Sequence, residues 1–188
     1  MKSAAVAAAG FMIVPRNVLG GSGFVAPSDK LTIASIGVGG KGRSDIAKFY
    51  ESGKSDIAYL CDVDQRSAAE TIKKFPKAKF YTDWRELLEK ESKNFDAVSV
   101  STPDHNHAVQ AMGAMQLGKH VYVQKPISVD VLEGEAMVSA ARKYNRVVQV
   151  GTQRKSTPHL IEAKKNIVDA GLLGKIKQIG RASCRERV

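Results

Sequence analysis

Six residues in the first third of the chain have the types and spacing to cradle a phosphate: Gly37, Gly39, Gly40, Lys41 and Gly42 in one turn, and Asp62 downstream. Gly37, Gly39 and Gly42 fit G-x-G-x-x-G, and each glycine has its own job where a strand turns into a helix. Gly37 permits the tight turn, Gly39 keeps side chains away from an approaching pyrophosphate, and Gly42 lets the helix close on the first strand. The first N–H groups of that helix would face phosphate oxygens, where the helix dipole favours negative charge. Asp62 falls about 20 residues past the last glycine, where a carboxylate accepts hydrogen bonds from adenosine ribose hydroxyls.

The spacing alone is weak, because a chain with 16 glycines produces it by chance and a plain structural turn is the competing reading. The flanking elements carry the argument. Leu31 to Ile36 and Asp56 to Cys61 read as buried strands, and Ser44 to Glu51 as the helix between them. Further along, helices are predicted over Gln65 to Phe75, from about Asp83, over His105 to Leu117, over Asp130 to Tyr144 and over Pro158 to Ala170. Extended segments are predicted at Phe80-Tyr81, Phe95 to Val100, His120 to Gln124 and Val147 to Val150. Strands and helices in strict alternation predict an α/β fold, a doubly wound and mostly parallel sheet with helices on both faces. Helical spacing assigns Trp84, Met112, Met115, Val138 and Ala141 to the core.

A length of 188 residues, 43% hydrophobic and 26% charged, describes one globular domain with little to spare. The formal charge of +10 invites a nucleic-acid reading, but setting aside Lys2 and Arg16 in front and Arg181, Arg185, Glu186 and Arg187 behind lowers it to +6. The remainder is scattered over helices without an aromatic-interleaved basic strip, which excludes nucleic acid as a partner. Residues 4 to 14 form an apolar stretch too short to span a bilayer. Residues 1–28 therefore read as an export leader and junction, placing the mature protein in the periplasm or secreted with no stable membrane anchor; a disordered Ala-rich N-terminus is the alternative. An upstream twin-arginine segment would suit export of a folded, cofactor-loaded protein. Residues 179–188 resemble the translation of a sequencing-library adapter, with a genuine basic tail as the alternative. Cys61 reads as a small buried hydrophobe and Cys184 lies in that tail, so no disulfide framework is implied.

Three further segments follow in order: Ser101-Thr102-Pro103-Asp104-His105-Asn106-His107, then Gly118-Lys119-His120-Val121, then Gln124-Lys125-Pro126. Together with the glycine fingerprint they resemble the N-terminal half of the Gfo/Idh/MocA oxidoreductases, NAD(P)-dependent enzymes acting on sugars and cyclitols. The likeness covers residues 30 to 178. It implies a Rossmann domain over 29–152, the start of a crossover over 153–178, and a C-terminal substrate domain, missing here, that also supplies homo-oligomer contacts. The resemblance puts Thr102 and Pro103 beside the cofactor, His107 just inside the following helix, and Gln124 and Pro126 around Lys125. Lys125 is the implied catalytic residue, reaching toward nicotinamide and the reacting hydroxyl. A partly desolvated ammonium near a cationic ring would give up its proton more readily and act as a relay or base; a surface lysine is the alternative. Pro126 would aim that loop, and a cis bond suits it.

The likeness departs at Gln124, where the family has glutamate. Losing that carboxylate should leave Lys125 easier to deprotonate. His105 and His107 could be read as metal ligands, but no Cys or carboxylate cluster completes such a site, so no metal is expected and His105 reads as a solvated loop residue. Asp62 favours NAD by repelling a 2′-phosphate, while Lys41, Arg43 and Arg66 leave NADP open. The implied activity is hydride transfer between a sugar or cyclitol carbon and nicotinamide. Two alternatives stand beside it: an NAD-retaining glycoside hydrolase of the same family, and a non-catalytic nucleotide-binding or sugar-sensing module.

Overall fold

The computed structural model describes residues 25–175. Nearly all of the leader, Cys184 and the adapter-like segment lie outside the described residues. The chain divides into two units, one ending at Gly151 and the other beginning at Thr152.

The first unit is a six-stranded sheet, parallel at every pairing, in the order β3-β2-β1-β4-β5-β6. Its strands are β1 (Leu31–Ile36), β2 (Ser55–Cys61), β3 (Lys79–Tyr81), β4 (Ala97–Val100), β5 (His120–Gln124) and β6 (Val148–Gly151). Five helices connect them: α1 (Gly40–Glu51), α2 (Gln65–Lys74), α3 (Trp84–Glu91), α4 (His107–Gln116) and α5 (Val131–Lys143). Side chains alternate across a strand, so Ile33 joins one core cluster with Ile46 of α1 and Ala68 of α2, while Ala34 joins the other with Leu87, Ala111, Met115 and Met137 of α3 to α5. The sheet is therefore covered on both faces, as the alternation predicted.

Helix starts follow from side chains that satisfy the first N–H groups. Asp64, Asp83 and Asp130 accept from Arg66, Arg85 and Glu133 N–H and cap α2, α3 and α5. Glu133 completes a box-like cap by accepting from Val129 N–H at 3.0 Å.

Several boundaries differ from the sequence reading. Helix α1 starts at Gly40 rather than Ser44, so the glycine turn is itself the first helical turn. The segment predicted as one helix from His105 is a 3-10 turn, Asp104–Asn106, followed by α4. Val138 is a correction: it is 46% exposed. Met137, Ala140, Ala141 and Tyr144, at i, i+3, i+4 and i+7, form the packed face of α5 and turn Val138 away from the sheet. Met115 is fully buried, and Trp84 and Met112 pack against the same cluster.

The second unit contains a 3-10 turn, Gln153–Ser156, and α6 (Pro158–Ala163), which widens into a π-helical stretch, Lys164–Val168. The predicted helix to Ala170 is thus shorter as an α-helix, with Asp169 N–H donating to Lys164 O five residues back. Gly171, at φ +71°, closes it.

Candidate functional site

Strand register builds one edge of the sheet into a site. Cys61, Ile36, Val100 and Val123 lie in a row across β2, β1, β4 and β5. The next residue along each segment is Asp62, Gly37, Ser101 and Gln124. Four segments far apart in sequence therefore deliver their functional residues to the C-terminal edge of a parallel sheet, on both sides of the point where strand order turns back.

Two glycines have demonstrable reasons to be glycine. Gly37 sits at φ +80°, and a Cβ there would lie 2.7 Å from the Ser101 carbonyl carbon and the Thr102 nitrogen. A Cβ on Gly42 would overlap the Gly37 carbonyl oxygen, so α1 can close on the turn only without a side chain there. At Gly39 a Cβ would run into Ser67 Oγ of α2, a packing demand the sequence reading did not include. Unlike α2, α3 and α5, helix α1 has no side-chain cap: its N-cap is Gly39 and its first turn holds no acid. Its N-terminus opens on a cleft of about 710 Å³ lined by Gly37, Gly39, Gly40, Asp62, Thr102 and Pro103 among others.

Asp62 is held by the turn it faces. Val38 and Gly39 N–H donate to Oδ2 at 2.9 and 3.0 Å, and Asp64 N–H donates to Oδ1 at 3.0 Å. A carboxylate has about four acceptor positions, so Oδ1 retains capacity for a hydroxyl. The three cations near the turn are each paired: Lys41 with Asp45, Arg43 with Glu70, and Arg66 with Asp64 at 3.1 Å. Cys61, which also lines the cleft, is 2% exposed, and burial with the nearby Asp62 carboxylate pushes its thiol up to about 12, leaving it inert at neutral pH.

A second cavity, of about 450 Å³, adjoins Lys41, Thr102, His107, Gln124, Lys125 and Pro126. His107 is 2% exposed, with Nδ1 2.5 Å from Pro126 O and Nε2 2.8 Å from Thr102 O. It ties the end of β4 to the loop that carries Lys125, whose bond to Pro126 is cis. Thr102 Oγ1 is in turn fixed by Gln110 at 2.9 Å. Lys125 itself is exposed, so the desolvation expected for it is not supplied by the described residues. His105 is exposed as well, and among the described residues no group of three or more His, Cys, Asp or Glu side chains could hold a metal ion.

The sequence reading missed Asp45, Ser101 and Gln110. Gln124 Nε2 donates to Asp45 Oδ2 at 2.6 Å and Ser101 Oγ to the same oxygen at 3.0 Å, with Lys41 bound to Oδ1. A carboxylate therefore does stand beside position 124, supplied by α1 instead of by β5. A signal for it existed: Gly42, Asp45, Ile46 and Phe49 share the i, i+3, i+4, i+7 face of α1, and an acid on a core-facing stripe demands partners.

Where strand order reverses between β1 and β4, an open parallel sheet offers a crevice for ligands, and a glycine turn with a carboxylate across it fits that crevice to a dinucleotide. This defines the class, a dinucleotide-binding α/β domain. The chain belongs to the Gfo/Idh/MocA oxidoreductases, whose NAD-binding Rossmann fold matches residues 31–152. It is 31% identical over 117 residues to levoglucosan dehydrogenase of Pseudarthrobacter phenanthrenivorans, covering 62% of this chain and 29% of that protein. It is 32% identical over 143 residues to glycosyl hydrolase family 109 protein 1 of Shewanella sp. (strain ANA-3), covering 70% of this chain and 31% of that one. Among solved structures, myo-inositol 2-dehydrogenase from Lactobacillus plantarum superposes with a TM-score of 0.70 at 26% identity, over 78% of this chain and 43% of its own. The chain thus spans about a third of the length of the curated relatives it matches.

Proposed function

We propose that this domain binds NAD(H) across the ends of β1, β4 and β5, and that in the whole protein it serves hydride transfer to or from a carbon of a sugar or cyclitol. The observation that carries the reading is the α1 N-terminus, without a side-chain cap of its own, opening on the larger cleft beside the Asp62 carboxylate that the glycine turn holds. In this reading the α1 turn and Lys41 hold the pyrophosphate, and Asp62 Oδ1 accepts from an adenosine ribose hydroxyl. Thr102 and Pro103 line the path toward the second cavity, where Lys125 is placed to take or return the proton of a substrate hydroxyl. Bound nicotinamide would supply the hydride acceptor or donor at C4. The pairing of Lys41, Arg43 and Arg66 with their own carboxylates leaves Asp62 to repel a 2′-phosphate, so NAD is favoured over NADP. The apolar stretch behind Lys2 supports an export leader and hence a periplasmic or secreted protein.

The likeness to the Shewanella family 109 protein favours one second reading, a glycoside hydrolase that keeps its NAD and shows no net redox change. Both readings share the nucleotide site, and its test comes first. NAD at 100 times its dissociation constant should stabilise the chain by about 2.7 kcal/mol in thermal melts, NADP by clearly less, and Asp62→Ala should remove the NAD shift. A midpoint unmoved by either nucleotide would overturn the assignment.

A further inference from the structure

Asp45 is 6% exposed, and everything it touches belongs to a different wall of the site. Lys41 lies in the glycine turn, Ser101 just past β4, and Gln124 at the end of β5, 79 residues away in sequence. The contact with Gln124 passes onward, because Gln124 Oε1 accepts from the Lys125 backbone N–H at 3.3 Å. The amide is thereby oriented: its nitrogen must face Asp45 and its oxygen Lys125. Tyr122 Oη also accepts from Gln124 Nε2, at 3.2 Å.

We infer that Asp45 is a positioning residue of the nucleotide site, carrying from α1 the buried negative charge that joins the glycine turn to the Lys125 loop and that dictates glutamine at position 124. A carboxylate at 124 would meet a carboxylate at 45 within hydrogen-bond distance, and the two would repel unless they shared a proton. The charge belongs to the pair, and either partner can hold it provided the other is an amide. Asp45 touches neither cofactor nor substrate; it acts through Lys41 and Gln124. The functional half of this inference rests on the nucleotide-binding reading above, whereas the coupling of Asp45 to Gln124 does not.

The charged and titratable groups around the pair are Lys41 on the same helix, Tyr122 on β5 and, across the smaller cavity, Asp104, His107 and Lys125. The experiment uses the 188-residue chain in four forms: unaltered, Asp45→Asn, Gln124→Glu, and both together. Thermal midpoints are taken from about pH 4 to 8, the range into which one of two carboxylates sharing a site is raised. NADH affinity is read from quenching of Trp84, the sole tryptophan, which lines the larger cleft.

Gln124→Glu should lower the midpoint at neutral pH by about 5 °C, given typical coupling energies and a domain of this size. The deficit should shrink as pH falls, because a shared proton relieves the repulsion. Asp45→Asn should weaken NADH binding about fivefold, and the double variant should regain most of both losses. Additive losses, or a double variant no better than the worse single one, would overturn the coupling, as would a Gln124→Glu deficit that ignores pH. If no form, the unaltered chain included, quenches with NADH, the nucleotide reading fails with the positioning role that rests on it, while the midpoint cycle still decides the coupling.

Discussion

Asp45 and Glu91 are both acids drawn almost wholly out of water, and each is held by a cluster of hydrogen-bonding side chains, yet they solve different problems. Glu91, at the end of α3, accepts from Lys79 Nζ and Tyr81 Oη at 2.6 Å and from Asn94 Nδ2 at 2.9 Å, all within 12 residues of itself. Those hydrogen bonds hold its carboxyl down at about 2 and raise the Lys79 ammonium. The cluster staples the edge strand β3 to the helix that follows it, and none of its four residues lines the nucleotide cleft. Asp45 gathers its partners from three segments, the most distant 79 residues away, and each partner is a wall of the site. A buried acid with local partners secures an element; one with distant partners secures the relation between elements, and a site made of strand ends depends on that relation.

The harshest way to break the site side is Gly42→Ala. Its Cβ would overlap the Gly37 carbonyl, a backbone atom without rotamers, so α1 must move off the turn. A loss of about 3 kcal/mol is expected, together with NADH binding, measured by chemical denaturation and Trp84 quenching. Next comes the paired test of the two acids. Asp45→Ala removes the shorter of the two hydrogen bonds of Gln124 Nε2 and the acceptor of Ser101 Oγ, at about 2 kcal/mol, and should weaken NADH as well. Glu91→Ala should lower the thermal midpoint and leave NADH affinity where it was. The acid limb gives a second readout for Glu91. A carboxyl held at about 2 stabilises fully above its ordinary value of 4.5 and loses that contribution as pH falls toward 2, so Glu91→Ala should flatten stability across that window. An altered NADH affinity in Glu91→Ala would erase the distinction between the acids.

The same local-against-distant division governs how much could be read from the residues alone. The strands, the helices and the alternation of layers followed from periodicity, because each strand and helix advertises its own buried face; the strand order came only with the structure. The glycine turn, Asp62 and the ends of β4 and β5 were legible for the same reason, as short motifs in the right succession. The Asp caps at 64, 83 and 130 are equally local, though the sequence reading did not name them as caps. Asp45 was not found, since its meaning lies in Ser101 and Gln124, and only the register of β1, β4 and β5 brings those three together. The departure of Gln124 from the family's glutamate therefore looked like a lost charge, when the charge stands on the neighbouring helix. Val138 shows the converse limit: periodicity located the helix, but its rotation was decided one residue away, by Met137.

A third acid tests whether location near the site is enough. Asp64 lies two residues from Asp62 but is open to solvent, with 44% of its side chain exposed, and its partner Arg66 is 93% exposed. Its carboxyl is lowered by the Arg66 side chain first and then by the Arg66 N–H it caps. Asn can keep that cap while giving up the charge. Asp64→Asn should therefore leave folding and NADH affinity nearly unchanged, because an exposed pair in high dielectric contributes little. It would release Arg66 toward a 2′-phosphate, and the preference for NAD over NADP should narrow by about threefold or less, read by titrating both nucleotides against Trp84. A large loss of NADH affinity would mean that proximity to the glycine turn, and not burial among distant partners, decides which acids this site depends on.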